Sequence, residues 1–130
     1  MSNNILIVED HEGVRHSLRE WLELSFPHYQ LLEAASGEEA VSVAQASCPC
    51  LVIMDIGLPG INGIEATQGI KAALPDTQVV MLTIYDDEAH RADAAAAGAS
   101  AYVRKRKVQT ELLPVVTRLL SGDTDTEIHD

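Results

Sequence analysis

No apolar run in this chain approaches the about 18 residues that a membrane-spanning helix needs, and Met1-Ser2-Asn3-Asn4 is not the charged-then-apolar start of a signal peptide. The tail carries no lipidation motif. These absences predict a soluble, cytoplasmic protein. Cysteine is nearly absent. Only Cys48 and Cys50 occur, flanking Pro49, a spacing too short for an easy disulfide and two ligands short of a structural zinc site. The expectation is that Cys48 ends a helix and that Cys50 enters a strand as a small, partly buried packing residue. Basic residues are few: nine Lys and Arg stand against twenty Asp and Glu. The net charge of -11 opposes direct binding to DNA or to an anionic membrane. No glycine-rich loop ends in the lysine of a nucleotide-hydrolysing site. At 130 residues a single domain is expected, with no room for a separate output domain.

What the chain does have is a set of short apolar runs separated by helical stretches. Ile5-Leu6-Ile7-Val8, Leu51-Val52-Ile53-Met54, Val79-Val80-Met81-Leu82 and Tyr102-Val103 read as parallel strands covered on both faces. A further strand near Tyr29 to Ala35 is interrupted by Gln30 and Glu33 and reads as an edge strand. Strand and helix alternate five times, which predicts an open α/β sheet. With the strand order 2-1-3-4-5 this is a flavodoxin-like, doubly wound (βα)5 fold, and its crevice opens between strands one and three. Val14, Leu18, Trp21 and Leu22 mark one helical face, and Leu112, Val116, Leu119 and Leu120 another. Ser36 with Glu39, and Asn62 with Glu65, have the spacing of helix starts. Pro114 is expected to bend or delay the fifth helix. The run Ala94-Ala95-Ala96-Ala97 favours helix but offers shallow anchors, so the fourth helix is the expected moving part. Residues 1–122 are expected to form the domain, and 123–130 a polar, acidic tail or linker stub.

The strand ends carry the chemistry. Glu9 and Asp10 follow the first strand, Asp55 the third, Thr83 closes the fourth, and Lys105 comes just after the fifth. In a parallel sheet these ends share one edge, where ligands bind. Carboxylates converging there would repel one another unless a cation joined them. Oxygen-only ligands suit Mg2+, with Mn2+ as the alternative, and the lack of Cys or His partners disfavours zinc. An ionised Asp is already a competent nucleophile and forms aspartyl-phosphate intermediates. Lys105, Thr83 and the metal would together gather charge on a transferring phosphoryl group.

Four segments, Val8-Glu9-Asp10-His11, Met54-Asp55-Ile56-Gly57-Leu58-Pro59-Gly60-Ile61-Asn62-Gly63, Leu82-Thr83 and Gly98-Ala99-Ser100-Ala101-Tyr102-Val103-Arg104-Lys105, closely resemble the response-regulator receiver (CheY-like) domain. The likeness runs from about Asn4 to Gly122. It implies a two-component signalling domain, not an enzyme in the ordinary sense, that takes a phosphoryl group from a sensor histidine kinase or phosphotransfer protein onto Asp55. It implies Mg2+ held by Asp10, Asp55 and the backbone carbonyl of Gly57, with Glu9 acting through water. Thr83 and Tyr102 would be the switch pair, and a homodimer linked to phosphorylation is a further implied partner state. Gly57 and Tyr85 fall at the positions that flank the approach of water, where the Tyr85 ring would either shield the phosphoryl group and prolong the phosphorylated state or point to solvent and only border the partner face. The phrase from Asp55 to Ala66 looks most like receivers that precede a LuxR-type helix-turn-helix. The chain departs from many receivers in having Arg106, not proline, after the lysine, so a cis bond there is not assumed.

Each residue also has a plainer reading. Asp10 and Asp55 could be helix caps, Thr83 an ordinary strand residue, and Tyr102 an edge-strand packing residue. The set speaks against these readings, not any one member. His11 is expected to open the first helix in solvent, and His16, His28, His90 and His129 form no ligand spacing. Arg104-Lys105-Arg106-Lys107 reads as a solvated loop or a contact for an acidic protein partner. Two other functions share this fold: an interaction module that works without phosphorylation, and an FMN-binding protein. Glu9-Asp10-His11-Glu12 would repel the phosphate of the second.

Overall fold

The computed structural model describes residues 3–122. Its elements are β1 (Asn4–Val8), α1 (Glu12–Ser25), β2 (Gln30–Ala34), α2 (Gly37–Ser47), β3 (Leu51–Met54), α3 (Gly63–Ala73), β4 (Gln78–Thr83), α4 (Glu88–Ala97), β5 (Ala101–Arg104) and α5 (Val108–Leu120). A 3-10 turn over Lys105–Lys107 joins the last two. All strand pairs are parallel, in the order β2-β1-β3-β4-β5, so β2 is an edge strand as expected. The tail from 123 to 130, with His129, lies outside the described residues.

The period of two along each strand assigns the helices to faces. Leu6, Val8, Val52, Met54, Val79 and Met81 pack against Ala40 and Ala44 of α2, Ala66 and Ile70 of α3, and Ala94 of α4. Their neighbours in sequence, Ile5, Ile7, Leu51, Ile53, Val80, Leu82 and Val103, face Leu18 and Leu22 of α1 and Leu112, Val116 and Leu119 of α5. The alanines let α2, α3 and α4 lie close to the sheet, whereas α1 and α5 anchor through large side chains. Removing a fully buried leucine such as Leu22 would cost about 2–5 kcal/mol.

The helix starts follow the expected caps. The Ser36 side chain accepts from Glu39 N, and Asn62 with Glu65 forms a reciprocal capping box. His11 caps α1 through Nδ1, which accepts from Val14 N at 3.2 Å. Cys48 ends α2 in the left-handed conformation at φ 48, and half-buried Cys50 donates its thiol to Asn4 O just before β3. The expected delay of the fifth helix does not occur. Helix α5 runs unbroken through Pro114. Pro114 and Thr110 are both exposed, so the carbonyl that loses its partner lies on the wet side of the helix.

Candidate functional site

The register places Val8 beside Met54, so β1 and β3 end together and the next residues leave the sheet side by side. Asp55 N donates to Val8 O at 3.1 Å, and Glu9 N to Ala34 O at 3.1 Å. Glu9, Asp10 and Asp55 thereby converge, each offering a carboxylate oxygen within 4.8 Å of the others. Glu9 and Asp55 are buried, while Asp10 is exposed at the mouth. Gly63, the first residue of α3, supports this arrangement from below: a Cβ there would run into the Asp55 carbonyl oxygen. Only glycine allows the helix start to sit so close to the acidic turn.

Lys105 closes the cluster from the other side. Its Nζ donates to Glu9 Oε1 at 2.6 Å and to Asp55 Oδ2 at 3.0 Å. Burial alone would lower the lysine pKa, but the hydrogen bonds it donates to Glu9 and Asp55 outweigh it and hold Lys105 above the usual lysine value. The remaining oxygens are also engaged: Asp55 Oδ1 accepts from Gly57 N at 3.2 Å, and Glu9 Oε2 from His11 N at 3.0 Å. The cluster is rich in oxygen, more negative than its single lysine offsets, and free of sulfur or imidazole donors, which fits a hard divalent cation such as Mg2+.

Thr83 is fully buried and lines the same cleft as Lys105, with Arg104, Arg106, Ile84 and Asp86. The structure does not join Thr83 directly to Tyr102. Tyr85 stands between them: its amide donates to Thr83 Oγ1 at 3.3 Å, and its carbonyl accepts from the Tyr102 hydroxyl at 2.6 Å. The Tyr85 ring lies against Gly57 and stacks on His90 at 4.6 Å with an interplanar angle of 8°. The Arg91 guanidinium sits 4.5 Å over the Tyr102 ring.

Two features escaped sequence reasoning. Glu33, which looked like a mere interruption of β2, accepts from Arg15 Nε at 2.8 Å and Arg19 at 2.7 Å, and Arg15 also donates to Glu9 O at 2.9 Å. The spacing of Arg15 and Arg19, one helical turn apart beside an acidic edge-strand residue, was the available signal. These hydrogen bonds, that from Arg19 first and then that from Arg15, hold the Glu33 carboxyl below its usual value. Asp86 is the second: its carboxylate takes Arg91, Arg104 and Arg106 together.

Comparison with known proteins agrees with the fold. The response regulator receiver domain matches residues 5–117, and the chain belongs to that family of two-component signalling domains. It is 35% identical over 119 residues to the response regulator UvrY of Escherichia coli O6:H1, covering 92% of this chain and 55% of that protein. It is 36% identical over 118 residues to the transcriptional activator protein ExaE of Pseudomonas putida, covering 91% of this chain and 55% of that protein. The chain thus spans about half the length of these relatives. Among solved structures, a LuxR-family two-component response regulator from Aurantimonas sp. SI85-9A1 superposes with a TM-score of 0.85 at 35% identity, over 92% of this chain and 85% of that one. A CheY-like receiver domain protein from Methanospirillum hungatei JF-1 gives 0.87 at 26% identity, over 98% of this chain and 99% of that one. No helix among the described residues is long and apolar enough to cross a membrane.

Proposed function

We propose that Asp55 accepts a phosphoryl group from the phosphohistidine of a sensor histidine kinase or phosphotransfer protein, in a reaction that requires Mg2+, and that this resets a protein-binding surface. The observation that carries the reading is the position of Lys105 Nζ, bonded at once to Glu9 and Asp55, with Asp10 completing the acidic cluster at the sheet edge. Asp10, Asp55 and the Gly57 carbonyl would hold Mg2+, with Glu9 acting through water. The ion would supply positive charge to the phosphoryl oxygens and relieve repulsion among the carboxylates.

A carboxylate oxygen of Asp55 attacks phosphorus, the new P–O bond forms, and the bond from phosphorus to the imidazole nitrogen breaks with its electron pair returning to the ring. No general base is needed, because a carboxylate nucleophile has no proton to give up. The Lys105 ammonium passes from the Asp55 carboxylate to an incoming phosphoryl oxygen. The Thr83 hydroxyl accepts from Tyr85 N and keeps its own proton for another such oxygen. A shift of Thr83 toward the phosphoryl group would pull on Tyr85, whose carbonyl holds the Tyr102 hydroxyl, and so carry the signal to α4, β5 and α5. Partner choice then changes, either toward a second copy of this chain or toward an output partner. Residues 1–122 would form the receiver and 123–130 its tail.

The test is phosphorylation by acetyl phosphate with Mg2+, read by intact mass. Wild type is expected to gain one phosphoryl group and Asp55→Asn none. Equal labelling of the two proteins would overturn the reading.

A further inference from the structure

The segment that carries Lys105 has little of its own to hold it. The 3-10 turn over Lys105–Lys107 has no side-chain cap at Arg104, and α5 has none at Lys107. Proline, which stiffens a backbone by fixing φ, is absent from the turn, and Arg106 follows the lysine directly. Lys105 itself is tethered through its ammonium to Glu9 and Asp55. That tether is the one the reaction must loosen, since the ammonium has to turn from Asp55 to the arriving phosphoryl oxygens.

A second attachment reaches the same segment from outside. Asp86 lies three residues past Thr83, in the loop between β4 and α4. Its Oδ2 accepts from Arg104 at 3.4 Å and from Arg106 at 3.3 Å, the two residues on either side of Lys105. Its Oδ1 accepts from Arg91 of α4 at 3.2 Å. Arg104 is held again by Glu111 at 3.6 Å. Asp86, Arg104 and Arg106 border the same cleft as Thr83 and Lys105. One carboxylate therefore joins the loop that follows Thr83 to the residues on either side of Lys105.

We propose that Asp86 is a positioning residue for phosphoryl transfer: by gripping Arg104 and Arg106 it keeps the Lys105 turn in place while the lysine exchanges Asp55 for the phosphoryl group. The inference rests on Asp55 being the acceptor. The Asp55 oxygens are bonded to Gly57 N and Lys105 Nζ, and those of Asp86 to its arginines, so Asp86 acts on the acceptor only through the turn. Its loss slows the chemical step and leaves donor binding alone. It also loosens the turn whether or not any phosphoryl group is present, so the two readings can fail separately.

The experiment compares wild type, Asp86→Asn and Asp86→Glu in two measurements. The first is amide hydrogen exchange of residues 104–108 without phosphodonor. The second is the rate of Asp55 phosphorylation against acetyl phosphate concentration at fixed Mg2+ and ionic strength. Asp86→Asn is expected to exchange about tenfold faster in this segment with an unchanged thermal midpoint. Its limiting phosphorylation rate is expected to fall about tenfold at an unchanged half-saturating donor concentration, with Asp86→Glu recovering most of the rate. Unchanged exchange, or an unchanged or raised limiting rate, overturns the proposal. A shift in half-saturation alone also overturns it, because Asp86 would then be acting on the donor. Faster exchange in a chain whose wild type takes no phosphoryl group overturns the acceptor reading, and this inference with it.

Discussion

Tyr85 lays its ring over Gly57, so closely that a Cβ on Gly57 would stand 3.2 Å from Tyr85 Cε2 and 3.5 Å from its hydroxyl. Gly57 N in turn donates to Asp55 Oδ1, so the ring borders the turn that carries the acceptor. Stacking on His90 restricts the ring further, and His90 Nδ1 is itself 2.5 Å from Asp87 Oδ1. We expect this cover to hinder water from reaching phosphorus in line with the bond to be broken. Tyr85→Ala should accept a phosphoryl group normally and lose it about tenfold faster, equivalent to about 1.4 kcal/mol in the barrier. Phosphate release from purified phosphorylated proteins measures it, and equal rates would rule out shielding by this ring.

The acidic cluster predicts weak binding of one Mg2+ in the absence of phosphate. Asp10 is the exposed member and is not tied up by Lys105. Asp10→Ala should remove both the calorimetric binding signal and the rise in unfolding midpoint that Mg2+ gives wild type. An unchanged affinity in this variant would exclude Asp10 as a ligand.

Much of this was legible in the sequence, for reasons that can be named. The strands β1, β3 and β4 are buried on both faces and so appear as unbroken apolar runs, and Ser36 and Asn62 announce their helices through contacts only three residues long. The acids and Lys105 were placed by topology alone, since parallel strands must end on one edge. The rest depends on side chains that meet across elements. Nothing local says that Tyr85 will reach Gly57 and His90, or that Asp86 will collect three arginines from α4, β5 and the following turn. That α5 continues through Pro114 has a related reason: the cost of the proline depends on whether the freed carbonyl faces solvent, and the face of a helix is a tertiary property.

Glu33 predicts an acid-sensitive contribution to stability. Its folded pKa lies below its unfolded value near 4.5, so the contribution is present above that value and is lost as pH falls through the folded one. Glu33→Gln should destabilise the protein by about 1 kcal/mol at pH 7 and lose less stability than wild type on acidification. Urea midpoints at pH 7 and at about pH 3 measure both effects. Parallel losses in the two proteins would remove Glu33 from the account.

Cys48 is the one non-glycine residue with positive φ among the described residues, at φ 48 and exposed at the end of α2. A side chain is unfavourable there, although glycine also gives the unfolded chain more freedom. Cys48→Gly should raise stability by about 0.5–1 kcal/mol and leave phosphorylation untouched. A lower midpoint would show that the Cys48 side chain makes contacts worth more than the backbone strain.

The central claim is that Asp55 alone carries the phosphoryl group. Hydride reduction tests it most directly, because borohydride converts an aspartyl phosphate to homoserine and leaves free carboxylates alone. After treatment with acetyl phosphate and Mg2+, then borohydride and trypsin, the peptide between Arg19 and Lys71 should contain homoserine at position 55 and aspartate nowhere else reduced. Homoserine at position 10, or none in a chain that has gained a phosphoryl group, would contradict the account.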